Sequence, residues 1–226
     1  MPGALGPDFD PRTVPVQGVD SHLPAVPAAA QTADALRHRF AAYPLWLPEI
    51  ERERAMIARE PVEAAVLIGI VQRREPMVLL TERTLHLSSH SGQVAFPGGK
   101  RDPEDTTLAA TALREAQEEV GLDPALVEVL GDLPPYVTGT GFVVTPVVGL
   151  VRPEARYQPN PYEVADLFEV PLAFILDPAH HQRHVLQRPE GPREWFSMPY
   201  QDGLRQRYIW GATAGMLRNF YRFMRA

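Results

Sequence analysis

The chain reads as an α/β protein, a mixed sheet covered by helices. Apolar runs of strand length and stretches of helical periodicity both occur, in an order that suits layered packing. A length of 226 residues leaves room for one well-buried domain plus extensions at both ends.

Residues 1–31 are rich in Pro, Ala and Gly without sustained periodicity and read as a flexible tail. Thr32 to Tyr43 and Glu49 to Arg59 read as short helices split by Pro44 and Pro48, a helical extension over 32–60. The main domain is expected over 61–226. Ala64 to Val71 is a continuous apolar run and predicts a buried strand. Arg74-Glu75-Pro76 then turns the chain into a second strand, Met77 to Arg83. Gln93 to Phe96 predicts a short strand before the turn at Pro97-Gly98-Gly99. Thr106 to Val120 contains neither Gly nor Pro, so it predicts a helix with Asp105 or Thr106 as N-cap and Gly121 as the stop. Its buried stripe is Leu108, Ala109, Ala112, Leu113, Ala116 and Val120. Further strands are expected at Val127 to Leu130, Phe142 to Val151, Val164 to Val170, Trp195 to Met198 and Gln206 to Trp210. A closing helix runs over 212–225, and no internal repeat is found.

Composition removes several function classes. A formal net charge of −6 argues against a general nucleic-acid binder. The absence of cysteine excludes disulfides, thiolate catalysis and cysteine-ligated zinc. No apolar run reaches the roughly 18–20 residues of a membrane span, and the N-terminus lacks a secretory signal pattern, so a cytoplasmic location is expected.

The chemistry concentrates on the 106–120 helix. Glu115, Glu118 and Glu119 occupy an arc of about 100° beside the apolar stripe. Ionised carboxylates so close repel one another. A hard cation with oxygen ligands removes that repulsion, and magnesium suits a site where a phosphate and waters complete the shell. Arg114, one turn before Glu118, can orient a carboxylate. Pro97-Gly98-Gly99 upstream permits close backbone approach. An acidic helix alone is usually a solvated face. Strand, glycine turn and acidic helix together are far more specific.

Phe96-Pro97-Gly98-Gly99-Lys100 with Arg114-Glu115-Ala116-Gln117-Glu118-Glu119-Val120-Gly121 resembles the Nudix box. The resemblance implies an α/β/α sandwich and a divalent metal, Mg2+ or Mn2+, held by Glu115, Glu119, Glu118 and the carbonyl of Gly99. Arg114 is then a structural partner of the box carboxylates. Asp105 stands where the box has its first glutamate, and eight residues rather than seven separate it from Arg114, which leaves the partner of Arg114 open. The resemblance implies a glutamate as proton acceptor in hydrolysis, Glu118 within the box or Glu163 outside it, with Glu115 also part of the catalytic set; the favoured reading of Glu163 by itself is a structural or solvated loop residue.

Leu79-Leu80-Thr81-Glu82-Arg83, Gly92 and Phe96 to Gly99 resemble the signature of the coenzyme A pyrophosphatase branch. Thr145 to Gly149, Phe168 to Leu172 and Ile209 to Ala214 are also similar to that branch. This implies hydrolysis of coenzyme A to 3′,5′-ADP and 4′-phosphopantetheine, with Arg83, His90, Gly98 and Lys100 at the substrate. Ser88 replaces the signature's second arginine and Thr84 the preceding Ser or Ala. Losing a charge-assisted contact costs about 1.5–3 kcal/mol, which His86, His90 or Lys100 can offset. Another nucleotide, such as ADP-ribose or a dinucleotide, is therefore the alternative substrate, and a noncatalytic nucleotide sensor is the third class. The partner expected is a small nucleotide, with neither nucleic acid nor membrane; a homodimer is compatible with this reading.

Two clusters read as structural. His180-His181-x-x-His184 has spacing that can hold zinc, but no Glu follows the first His, and a surface loop is the expectation. Trp195, Tyr200, Tyr208 and Trp210 read as core or edge packing rather than a base-stacking platform.

Overall fold

The apolar run at 64–71 becomes the axis of the molecule. The structure is a computed structural model that describes residues 9–53, 60–84, 92–189 and 191–226. Its first half contains β1 (Val16–Val19), α1 (Ala33–Ala42), β2 (Val62–Val71), β3 (Met77–Arg83), β4 (Val94–Ala95), β5 (Gly98–Lys100) and α2 (Leu108–Val120). There follow β6 (Val127–Asp132), β7 (Tyr136–Val137), β8 (Phe142–Val151), β9 (Val164–Pro171) and α3 (Leu172–Ile175). The chain closes with β10 (Gln182–Leu186), β11 (Arg193–Asp202), β12 (Arg205–Trp210) and α4 (Gly211–Arg225).

β2 pairs in parallel with β8 over their full lengths, Val62 opposite Phe142 through Val71 opposite Val151. β3 and β5 pair antiparallel with β2, β9 and β4 with β3, and β6 and β7 with β8, giving one mixed sheet. A strand covered on both faces needs apolar residues at every position, which explains the continuous run. Ala65, Leu67 and Val71 point to one side and pack with Ala112, Ala116 and Val120 of α2. Ala64, Ile68 and Ile70 point to the other and pack with Leu217 and Phe220 of α4. Burying each large aliphatic side chain contributes about 1.5–3 kcal/mol, so the two helices are held by the alternation of one strand.

A second, antiparallel sheet in the order β1-β10-β11-β12 lies over α4, with Phe196, Met198 and Ile209 in the same core as that helix. The layers are therefore α2, mixed sheet, α4 and second sheet. This corrects the expected tail over 1–31 for residues 9–31. β1 pairs with β10, Pro11, Val14 and Val26 are buried, and the Val26 N–H donates to the Leu176 carbonyl at 3.1 Å. Composition conceals this because the partners lie more than a hundred residues away in sequence.

The helix expected over Glu49 to Arg59 is also corrected as far as residue 53; residues 54–59 lie outside the described residues. The Asn219 side chain accepts the N–H groups of Glu49 and Ile50 at 2.9 and 3.1 Å. The Glu53 N–H donates to the Val137 carbonyl at 2.8 Å, and the Val137 N–H to the Glu51 carbonyl at 2.9 Å. Tertiary partners thus take the backbone groups that a first helical turn would leave free.

Buried polar groups join the second sheet to α4. Arg218, 1% exposed, binds Asp20 at 2.9 Å and Glu49 at 2.8 Å, and donates to His181 Nδ1 at 3.1 Å. Nδ1 faces a group that only donates, so the imidazole is neutral with its proton on Nε2, which donates to the Ile175 carbonyl at 2.9 Å. His184 is likewise buried between the Val14 carbonyl and Ser197 Oγ. The surface-loop expectation for these histidines is therefore corrected: both are committed inside the fold.

Burial drives the His181 pKa down from 6.5 to about 4, the Ile175 hydrogen bond opposing and the Arg218 charge reinforcing the shift. Between those values the unfolded chain binds the proton first, so stability is full above about pH 6.5 and is lost as pH falls towards 4. By pH 5 the loss from this residue is roughly 2 kcal/mol. Urea midpoints at pH 7 and 5 are expected to separate by more for the wild type than for His181→Asn.

Candidate active site

β5 is held against β2 by pairing of Gly98 with Val66 and Lys100 with Ala64. On its other side it meets α2. A Cβ at Gly98 would strike the Ala65 carbonyl, and one at Gly99 would strike the Glu115 carboxylate. The two glycines are thus what lets helix carboxylates lie directly on strand backbone. α2 begins after Thr107, whose Oγ1 accepts the Ala110 N–H at 3.0 Å, and ends at Gly121 in the left-handed region with φ 68°. The expected N-caps Asp105 and Thr106 are corrected to Thr107, because the Asp105 carboxylate is occupied elsewhere.

Arg114 occupies Asp105. Its Nε and Nη2 donate to the two carboxylate oxygens at 3.1 and 3.0 Å. Nη2 also donates to the Lys100 carbonyl at 3.0 Å, while Nη1 donates to Glu115 Oε1 at 3.0 Å and Glu118 Oε2 at 3.1 Å. The fork, with the Asp102 N–H, holds the Asp105 carboxyl well below the usual carboxylate range. Asp105 therefore serves as the anchor of Arg114 despite the one-residue change in spacing.

Glu119 is 4% exposed. Its Oε2 accepts the Gly98 N–H at 3.1 Å, and its Oε1 lies 3.6 Å from Arg83 Nη1. Burial pushes its pKa up to about 7; Gly98 and Arg83 oppose this, and the charges of Glu115 and Glu163 add to it. The Glu115 pKa is also raised by burial, against the pull of Arg114 and with the charges of Glu118 and Glu163 behind it. Glu118 is on the rim, its side chain 59% exposed.

The remaining expected residues divide. Glu163 lies on a turn joined to α2, where the Asn160 N–H donates to the Glu119 carbonyl at 2.8 Å, and its charge adds slightly to the raised pKa of Glu115 and Glu119. Its backbone is fixed by Thr84 N–H to its carbonyl at 3.0 Å and by its own N–H to Asn160 at 3.1 Å. Lys100 joins the site through its carbonyl, with its side chain exposed. His90, with His86 and Ser88, lies outside the described residues. Trp195 and Tyr208 are buried, consistent with packing. Sequence reasoning does not pick out Thr84 and Asn160 as site residues. Thr84 is visible there only as a departure from a signature, whereas Asn160, between two prolines, carries a turn signal.

Among the described residues no three acidic or histidine groups form a ready-made metal cage. The chemistry of the donors nevertheless fits a hard cation. Two crowded carboxylates, one of them buried, stand beside a strand backbone, and magnesium takes few protein ligands and keeps its waters. Glu115 and Glu119, with Glu118 at the rim and the Gly99 carbonyl, are the groups able to supply oxygen.

A raised carboxyl pKa has the opposite sign to that of His181. Between pH 4.5 and about 7 the folded state holds the Glu119 proton that the unfolded chain releases, so stability falls as pH rises. In EDTA at pH 8, Glu119→Gln is therefore expected to raise the unfolding free energy by roughly 2–3 kcal/mol, as measured by urea denaturation.

A family model described as the NUDIX domain matches residues 61–197. The chain is 45% identical over 177 residues to an uncharacterized Nudix hydrolase, NudL, from Shigella flexneri serotype 5b, covering 76% of this chain and 90% of that protein. The same figures hold for NudL of Escherichia coli O6:H1. Among solved structures, a Nudix hydrolase from M. smegmatis, RenU, superposes with a TM-score of 0.41 and 24% identity, covering 51% of this chain and 74% of that one. The family model and the length of the match to the NudL proteins place this chain in the Nudix hydrolase family.

Proposed function

We propose that the protein hydrolyses a nucleoside diphosphate linkage with Mg2+ or Mn2+, and that its substrate is coenzyme A or a derivative, split to 3′,5′-ADP and 4′-phosphopantetheine. The observation that carries the reading is the Glu119 carboxylate, buried on the Gly98 N–H beside Glu115. Family membership supports pyrophosphohydrolase chemistry. The branch-like stretches Leu79 to Arg83, Thr145 to Gly149 and Ile209 to Ala214 support coenzyme A.

Glu115, Glu119 and the Gly99 carbonyl would hold a divalent cation, which would supply neutralisation of the diphosphate charge and acidification of water. The chain's own groups do the rest. Arg114 fixes the orientation of Glu115, and Gly98 fixes that of Glu119. Arg83 lies at the buried end of the site, where its guanidinium can pair with a phosphate oxygen as well as with Glu119. Lys100, exposed on the β5 edge, adds a second cation for the substrate. Glu163 is favoured over Glu118 as acceptor of the water proton, because Glu118 is engaged by Arg114 whereas the turn carrying Glu163 is fastened through Asn160 to the Glu119 carbonyl. Departure of the 3′,5′-ADP or phosphopantetheine phosphate completes a single displacement at phosphorus.

Ser88, in the place of a signature arginine, favours the second reading, hydrolysis of ADP-ribose or a dinucleotide polyphosphate. Intact Glu115, Glu118 and Glu119 argue against a noncatalytic sensor. Purified protein offered coenzyme A, dephospho-coenzyme A, ADP-ribose, diadenosine polyphosphates and nucleoside triphosphates distinguishes these readings by chromatography of products. Release of 3′,5′-ADP that stops in EDTA and falls at least about 100-fold in Glu119→Gln is the expected outcome. Preference for ADP-ribose or dephospho-coenzyme A would replace the substrate, and no turnover of any compound would favour the sensor.

A further inference from the structure

The turn that carries Glu163 is fastened to both halves of the site. From α2, the Glu119 carbonyl accepts the Asn160 N–H at 2.8 Å, and the Val120 carbonyl accepts the Gln158 N–H at 2.8 Å. Asn160 passes the connection on: its carbonyl accepts the N–H groups of Glu163 and Val164 at 3.1 and 2.8 Å, and its Oδ1 accepts the Tyr162 N–H at 3.1 Å. From the end of β3, Thr84 Oγ1 donates to the Tyr162 carbonyl at 3.0 Å and the Thr84 N–H donates to the Glu163 carbonyl at 3.0 Å.

Two of these bonds, from the Thr84 hydroxyl and to the Asn160 Oδ1, are side-chain bonds outside the strand pairing. The β3–β9 ladder runs from Met77 opposite Pro171 to Arg83 opposite Val164, with a register shift between Glu82 and Arg83, and Thr84 and Glu163 lie just beyond it. The Tyr162 side chain is 77% exposed, so packing of that residue does not anchor the turn. Pro159 and Pro161 preset the backbone on either side of Asn160. Thr84 is 6% exposed and follows Arg83, which reaches Glu119 at 3.6 Å. One residue pair thus connects the strand that carries Arg83, the helix that carries Glu119 and the turn that carries Glu163.

We propose that Thr84 and Asn160 are positioning residues that hold the turn carrying Glu163 beside the end of α2 that carries Glu119 during hydrolysis. This rests on the reading of Glu163 as the proton acceptor. A carboxylate on an exposed turn samples many positions, and a displacement of about 1 Å can cost 100-fold in rate. The hydroxyl of Thr84 and the side-chain amide of Asn160, both bound to the Tyr162 backbone, restrict the turn from which that carboxylate extends.

The test is a double-mutant cycle on the full chain, with kcat and KM measured separately and melting temperatures recorded. Thr84→Val and Asn160→Ala are each expected to lower kcat about 10- to 100-fold with KM changed less than about threefold. Thr84→Ser, which keeps the hydroxyl, should restore kcat to within about twofold of wild type. In a Glu163→Gln background, Thr84→Val should lower kcat no further. An equal loss in both backgrounds, or wild-type kcat in Thr84→Val and Asn160→Ala, overturns the proposal. Wild-type kcat in Glu163→Gln instead overturns the assignment of Glu163 itself. If Thr84→Val does not fold, Asn160→Ala in the same two backgrounds decides between these outcomes.

Discussion

The site depends on one constraint: carboxylates of a helix are placed on the backbone of a strand, where water cannot fully solvate them. Glycine at 98 and 99 is what makes the approach possible, since a Cβ at either position would occupy the space of a carbonyl or of Glu115 itself. Electrostatics then follow from geometry. One guanidinium, that of Arg114, serves Asp105, Glu115 and Glu118, while buried Glu119 receives a single backbone N–H and a more distant arginine. Among the described residues negative charge exceeds the cations that face it, and burial raises the pKa of Glu119 to about 7. The donor set of such a site fits a hard cation brought from outside.

The scaffold keeps that arrangement from relaxing. α2 cannot withdraw, because Ala112, Ala116 and Val120 are locked into the same cluster as alternate residues of β2. β2 in turn is braced from behind by α4, which the second sheet covers. Arg205 and Arg207 of β12 bind Glu82 of β3 and Asp166 of β9, tying the second sheet to the strands that end at Arg83 and begin after Glu163. Breaking one partner of such a network is costly because it leaves the other charge unpaired. The N-terminal segment joins through Asp20 and Glu49 on buried Arg218, so it is structurally part of the domain it precedes.

Legibility in the sequence followed the range of the interactions. β3 and β8 are legible to the residue, because β3 starts after the turn at Arg74-Glu75-Pro76 and β8 is an apolar run set between Gly141 and Arg152-Pro153. The acidic face of α2 is legible because its spacing is local. The strand at Val16–Val19 is not legible: its pairing to Gln182–His184 is set by a partner that composition does not reveal. The same holds for 49–53, where Asn219 and Val137 override a helical pattern. At the site, the role of Arg114 is visible in the sequence and its partner is not, since the shift of one residue before Asp105 can be absorbed only in three dimensions. Thr84 meets the turn at Tyr162 and Glu163 across nearly eighty residues of sequence, a pairing that neither composition nor local spacing reveals.

The uncompensated charge around Glu119 can be measured without substrate and without substitution. Wild-type protein is unfolded in urea at pH 8 with increasing Mn2+, and the midpoint is followed. A cation that binds the folded site alone raises the unfolding free energy by about 2.7 kcal/mol when its concentration is 100 times its dissociation constant. A midpoint that rises with Mn2+ and continues as the logarithm of its concentration is the predicted result. A midpoint that stays fixed up to millimolar Mn2+ would contradict the assignment of these carboxylates to a metal.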